Sequence, residues 1–259
     1  MTPWRRVQCR LTATIGLGLA ALLPAAVARA ADGPPAFFDP LVTDAPGISR
    51  EFGVLFEHVR QTDSRLTQPS VRLQYPVLSW LQFSLEVPIA FRDHDEGSSA
   101  SGISDLLVVG LARVFAPTDW PVEIDVGLGV TLPTGDSEVV GGATTAVRPF
   151  LAAGIKLGPV DVLGSLGYQW TADGPSGHGH AVQAAIAVGR PVGWITPFVE
   201  LSVLSQVSGA DDRRPQVTVA PGVELYATRN LSLSLGVQLP LSSARGFDQR
   251  VLGFCRWAF

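Results

Sequence analysis

The chain has 259 residues, 46% hydrophobic and 16% charged, with a formal net charge of −4. The acidic balance argues against a nucleic-acid partner. Its two cysteines, Cys9 and Cys255, fall on either side of an expected cleavage site, which excludes an internal disulfide in the mature chain.

Residues 1–30 have the features of a secretory signal peptide. Arg5, Arg6 and Arg10 precede an apolar run, Leu11 to Val27, and Ala28-Arg29-Ala30 is a small-x-small cleavage site. Sec-type export with cleavage near Ala30 is expected. Cleavage removes four of the 19 basic residues and no acid, leaving 15 against 23 and a net charge near −8. Residues 31–49 are Pro-rich and aperiodic, and are expected to form an extended periplasmic N-terminal segment.

Residues 50–259 alternate. No apolar run is long enough for a membrane helix. Instead twelve stretches show a period of two: Arg50–Arg60, Ser70–Val77, Leu81–Arg92, Ile103–Phe115, Pro121–Pro133, Ala146–Leu157, Val160–Trp170, Ala181–Arg190, Ile195–Val207, Gln216–Ala227, Leu231–Leu241 and Asp248–Phe259. In the fifth, Val122, Ile124, Val126, Leu128, Val130 and Leu132 share one face, and Glu123 and Asp125 lie on the other. Most of these stretches reach the roughly 9–11 residues that a tilted strand needs to cross a bilayer. The predicted fold is all-β, a transmembrane antiparallel up-and-down β-barrel of about twelve strands.

The connections alternate between long and short. QTDSRLTQPS, RDHDEGSSASG, TGDSEVVGGATT, TADGPSGHGH, SGADDRRP and SSARGF are the expected outer loops. Trp80, Trp120 and Trp194 fall at short turns, and Trp257 and Phe259 at the C-terminus. Together they predict an aromatic girdle on the periplasmic rim. The final strand, ending on Phe259, resembles the targeting strand that the barrel-assembly machinery reads. Six prolines fall inside expected strands: Pro88, Pro133, Pro149, Pro197, Pro221 and Pro240. A proline removes a ladder donor. Five of them lie toward the outer half, where bulges or ladder ends accommodate them, and Pro197 does not.

The polar face predicts the lumen lining. The acidic candidates are Glu57, Glu86, Asp105, Glu123, Asp125, Asp161, Glu200 and Glu224. The basic candidates are Arg72, Arg113, Arg148, Lys156, Arg250 and Arg256, with Arg92 on the same face. Such a set either lines a polar passage or fills the interior as paired charges. Phe150, Leu163, Phe198, Leu204, Tyr226, Leu252 and Phe254 share that face, so the lining is not purely polar. No Ser-His arrangement or G-x-S-x-G motif is present, and no enzyme is expected. His178 and His180 lack a second ligand pair, so neither a metal nor a cofactor is implied. The Asp211-Asp212-Arg213-Arg214 loop is a candidate contact for lipopolysaccharide.

Thr43-Asp44-Ala45-Pro46-Gly47, Gly102-Ile103-Ser104-Asp105-Leu106 and Leu132-Pro133-Thr134-Gly135-Asp136 resemble motifs of the "meta-pathway of phenol degradation" family of outer-membrane proteins. Ser104-Asp105 stands where that family usually has Gly-Asp. The resemblance implies an outer-membrane barrel for uptake of aromatic or other hydrophobic compounds, and it implies no catalytic motif. The expected function is a channel or transporter for small solutes in the cell outer membrane, working by passive diffusion. Its expected partners are outer-membrane lipid, lipopolysaccharide and the solute. The alternative is a closed structural or adhesive barrel that acts through its external loops.

Overall fold

A computed structural model describes residues 37–95, 97–117, 120–136, 145–174, 177–208 and 214–259. The expected signal peptide, residues 31–36, and Asp211 to Arg213 lie outside the described residues. Thirteen strands follow in order: β1 (Glu51–Arg60), β2 (Ser64–Leu78), β3 (Leu81–His94), β4 (Ser99–Ile103), β5 (Leu106–Phe115), β6 (Val122–Leu132), β7 (Thr145–Leu157), β8 (Val160–Gly174), β9 (Gly177–Gly189), β10 (Ile195–Ser208), β11 (Gln216–Tyr226), β12 (Leu231–Pro240) and β13 (Gln249–Ala258).

These strands make a closed barrel of twelve positions. Every consecutive pairing is antiparallel, and β1 closes the ring on β13. The short β4 is not a thirteenth stave. It pairs only with the far half of β3, from Ile89 to Asp93, while β5 pairs with the near half, Leu81 to Glu86. The stretch expected as one strand, Ile103–Phe115, is therefore the end of β4, a break at Ser104-Asp105, and β5. The break keeps its polar groups satisfied. The Ser104 amide donates to Pro88 O (3.0 Å), the Asp136 amide to Ile103 O (2.9 Å) and the Leu106 amide to Thr134 Oγ1 (3.0 Å). Asp105 Oδ1 accepts from the Gly135 amide at 2.8 Å. Asp105, expected in the lumen lining, is thus part of this junction. Its place in the alternation suggested the lumen, but the chain leaves the ladder there.

Four of the six prolines sit where pairing lapses. Pro88 lies at the step where β3 exchanges β5 for β4 as its partner. Pro149 lies in the gap between Val147↔Trp170 and Phe150↔Gly167, and Pro221 between Val219↔Leu239 and Gly222↔Gly236. Pro197 is accounted for in the same way: the ladder of β10 with β9 begins one residue later, at Phe198. Pro197 O still accepts from the Arg190 amide at 3.1 Å, and only the reciprocal donor is missing.

The strand ends differ from expectation at the long-loop rim. Much of QTDSRLTQPS belongs to β2, so β1 and β2 are joined through residues 61–63. TADGPSGHGH is likewise mostly hairpin strand in β8 and β9. A ladder needs no apolar side chains where it stands above the lipid belt, so polar composition there does not mark a loop.

The alternation in β6 is realised in space. Val126 and Leu128 are exposed on the outer face, while Glu123 and Asp125 are buried inside. The same apolar outer belt includes Phe56, Leu73, Phe83, Leu85, Leu151, Leu166, Val199, Leu201 and Leu235. Trp80, Trp120 and Trp194 stand exposed at the short turns, and Trp257 is exposed near the end of β13. Leu128→Arg is expected to destabilise the barrel by about 2–4 kcal/mol, the cost of a cation at mid-bilayer depth. Urea unfolding in lipid vesicles measures this, and Leu128→Ile is the neutral control.

Candidate functional site

Strand pairing places Glu57, Arg72, Glu86, Arg92, Arg113, Glu123, Asp125, Arg148, Lys156, Asp161, Glu200, Glu224, Arg250 and Arg256 on the inward face. They are not all available to a solute, because a segment of the chain lies among them. Phe37–Ser49, expected as a leader on the periplasmic side, is tied to the inner wall.

Its backbone amides are taken by the luminal carboxylates. Glu224 Oε2 accepts from the Asp39 amide at 3.0 Å. Glu200 accepts from three successive amides: Leu41 at 2.7 Å, Val42 at 3.0 Å and Thr43 at 2.7 Å. Successive amides that converge on one anion form a nest, which compensates a buried charge without a cation. Further along, Ser165 Oγ accepts from the Asp44 amide (3.3 Å), Asp125 Oδ2 from the Gly47 amide (2.8 Å) and Gln82 Oε1 from the Ser49 amide (2.9 Å). Gly47 has φ near 143°, a backbone state that favours glycine.

Side chains complete the seat. Asp44 and Arg148 form a two-pronged ion pair at 2.7 and 2.9 Å. Phe38 is buried and stacks on Phe198, with centroids 5.2 Å apart. Three wall glycines make room: a Cβ at Gly154 would lie 2.7 Å from the Phe37 ring, one at Gly189 2.6 Å from Phe38, and one at Gly236 2.6 Å from Leu41. Real Cβ atoms do not approach so closely, so these positions are sockets.

At the short-turn end Arg256 gathers three carboxylates. It pairs with Asp39 of the segment, with Glu51 at 3.5 Å and with Glu224 at 3.1 Å, and its Nε donates to Ser232 Oγ at 3.2 Å. Tyr226 donates to Glu224 at 2.7 Å. A buried charge group of this kind is costly to break at one member.

The lumen therefore has two walls. Along β6 to β12 the segment packs closely, and its ends also reach β3 through Gln82 and β13 through Arg256: Asp125, Ala152, Leu163, Ala187, Glu200, Ala220 and Glu224 are essentially inaccessible. Along β13, β1, β2, β3 and β5, Leu55, Glu57, Leu66, Arg72, Glu86, Arg92, Arg113, Arg250 and Leu252 remain partly exposed although they face inward. On this second wall Arg72 is held by Glu86 (2.7 Å), Arg250 by Glu57 (3.0 Å) and Arg113 by Glu123 (2.7 Å). Arg92 has no carboxylate partner among the described residues, and its Nε has no hydrogen-bond partner.

The inward aromatics have specific tasks. Arg72 lies over Phe254 (5.4 Å), Arg148 over Phe150 (4.7 Å), Lys156 over Phe37 (5.3 Å) and Arg250 over Phe247 (4.8 Å). Each is a cation on a ring face, and each of these cations also carries a carboxylate partner. Among the described residues no group of three or more His, Cys, Asp or Glu could hold a metal ion. His180 Nδ1 lies 2.6 Å from Tyr168 Oη, and the side chain of His178 lies outside the described residues.

Sequence alternation left out Asp39, Asp44, Ser165 and Gln82. The available signals were an apolar Phe37-Phe38 pair inside a Pro-rich leader, and glycines on the inward side of well-formed strands.

The sequence pattern of the family described as "Putative MetA-pathway of phenol degradation" matches residues 51–248. No curated protein matches in sequence. Among solved structures, an outer membrane channel from Pseudomonas putida F1 superposes with a TM-score of 0.67 at 16% identity, covering 86% of this chain and 100% of that one. The NanC porin gives 0.58 at 10% identity, covering 80% and 99%. The β domain of the Bordetella autotransporter BrkA gives 0.55 at 13% identity, covering 82% and 100%. A channel, a porin and an autotransporter domain share this architecture, so the likeness speaks to fold and not to task.

Two substitutions probe the seat. Gly189→Val should unseat Phe38 at a cost of about 1–3 kcal/mol, read as new protease cleavage within Phe37–Ser49 of the folded barrel. Arg256→Ala leaves its carboxylates buried without their cation and should cost about 3–5 kcal/mol, read as an earlier urea midpoint.

Proposed function

The chain belongs to the family described as "Putative MetA-pathway of phenol degradation", and we propose that it is an outer-membrane channel passing small solutes by passive diffusion along the wall β13–β1–β2–β3–β5. One observation carries this: Glu57, Arg72, Glu86, Arg92, Arg113 and Arg250 on that wall stay partly exposed, although Ser70, Gln82 and Arg256 there are buried, while Asp125, Glu200 and Glu224 beneath the segment are sealed. Partial exposure inside a barrel requires space beside the wall. The ion pairs there hold their charges in place without closing that space.

Aromatic or hydrophobic solutes suit the same wall. Leu55, Leu66 and Leu252 alternate with its charges, and guanidinium groups attract ring faces. The family description is in keeping with such solutes. Outer-membrane insertion after export, contact of the outer rim with lipopolysaccharide, and delivery through the C-terminal strand belong to the same proposal.

A second reading, a closed structural barrel, is favoured by the segment itself, whose contacts run around the inner wall from Glu224 to Gln82. Bilayer conductance separates the two. Purified protein, shown to be folded by heat-modifiable gel mobility, is expected to give stable steps of current, and an aromatic solute is expected to reduce them. A folded barrel that passes no current would favour the closed reading.

A further inference from the structure

The lumen's counted charge and its presented charge differ in sign. Inward acids outnumber inward bases once Asp39 and Asp44 are included, and the chain as a whole is acidic. A simple count therefore predicts a cation pathway. The geometry points the other way, and we propose that the passage prefers small anions because the N-terminal segment seals the acids.

The sealing is specific. Glu200 is 1% exposed, and Glu224 and Asp125 are 0% exposed. Glu200 and Asp125 face backbone amides of the segment, while Glu224 faces the Asp39 amide and Arg256. Glu200 and Glu224 contribute little field to the open side, because fixed donors compensate them where they lie, while Asp125 is compensated at Oδ2 alone and its Oδ1 has no hydrogen-bond partner.

On the open wall the ion pairs are lopsided. The Arg113 side chain is 32% exposed against 8% for Glu123, and Arg72 is 29% exposed against 15% for Glu86. Arg250 and Glu57 are nearly equal, at 32% and 30%. In the first two pairs the carboxylate is tucked toward the wall and the guanidinium reaches into the space. Arg92 adds a cation with no carboxylate partner among the described residues. A solute on this path meets arginine first, and arginine-lined pores select anions. Arg72 commits Nε and one Nη to Glu86, and Arg250 has its Nε on Glu57, so their pull on a passing anion is that of a charge rather than of a free two-donor edge.

This inference rests on the proposed channel, and one experiment separates the two. The full-length protein is placed in a planar bilayer under a potassium chloride gradient. Absence of current defeats the channel and says so directly. With current present, the expected reversal potential lies on the chloride side, and one on the potassium side overturns the anion preference alone. Two variants then locate its origin. Glu57→Gln, on the open wall, should strengthen the chloride preference. Glu200→Gln, which keeps an acceptor for the segment amides, should leave it unchanged. An equal shift from both would show that Glu200 is felt by passing ions, and the sealing argument would fall. Arg92→Gln should move the reversal potential toward potassium, and no movement would remove Arg92 from the pathway.

Discussion

A carboxylate turned into a barrel has nowhere to send its charge except to a donor. This constraint organises the molecule. The apolar outer belt obliges Glu123, Asp125, Asp161, Glu200 and Glu224 to face inward, and each of them then needs a partner. Arginine and lysine meet some of the demand. The remainder is met by main-chain amides from Phe37–Ser49, so the barrel's charge problem and the position of its N-terminal segment are solved together.

The solution shapes the space that remains. A segment bound chiefly along β6 to β12 divides the interior unevenly. Small residues such as Ala152, Ala187 and Ala220 sit beneath it, while the opposite wall keeps long side chains held by ion pairs. The aromatic rings share in this division. Phe198 receives Phe38 on the packed side, and Phe254 and Phe247 support arginines on the other. What resembled a mixed lining is a sorted one.

The wall was legible in the sequence because a strand writes its faces into a period of two. Glu123 and Asp125 between valines and leucines left little choice, and the turn tryptophans marked one rim. The ladder's irregularities were less legible. Asp105 kept its place in the alternation while the backbone departed, and polar residues such as Ser64 and Thr67 hid the length of β2. The segment's destination left almost no side-chain signature. Glu200 binds the amides of Leu41, Val42 and Thr43, and every residue but proline carries an amide. Only Asp44, Gly47 and the two phenylalanines could have hinted at it.

The group around Arg256 joins the segment to the closing seam of the barrel. Asp39 lies in Phe37–Ser49, Glu51 opens β1, and Arg256 is on β13. The segment's seat is therefore incomplete until β13 has paired with β1. A wall with β13 unpaired would present exposed strand edges and also an unfilled seat for Phe37–Ser49. The contacts that close the ring and those that fill it therefore share β1 and β13, through Glu51 and Arg256.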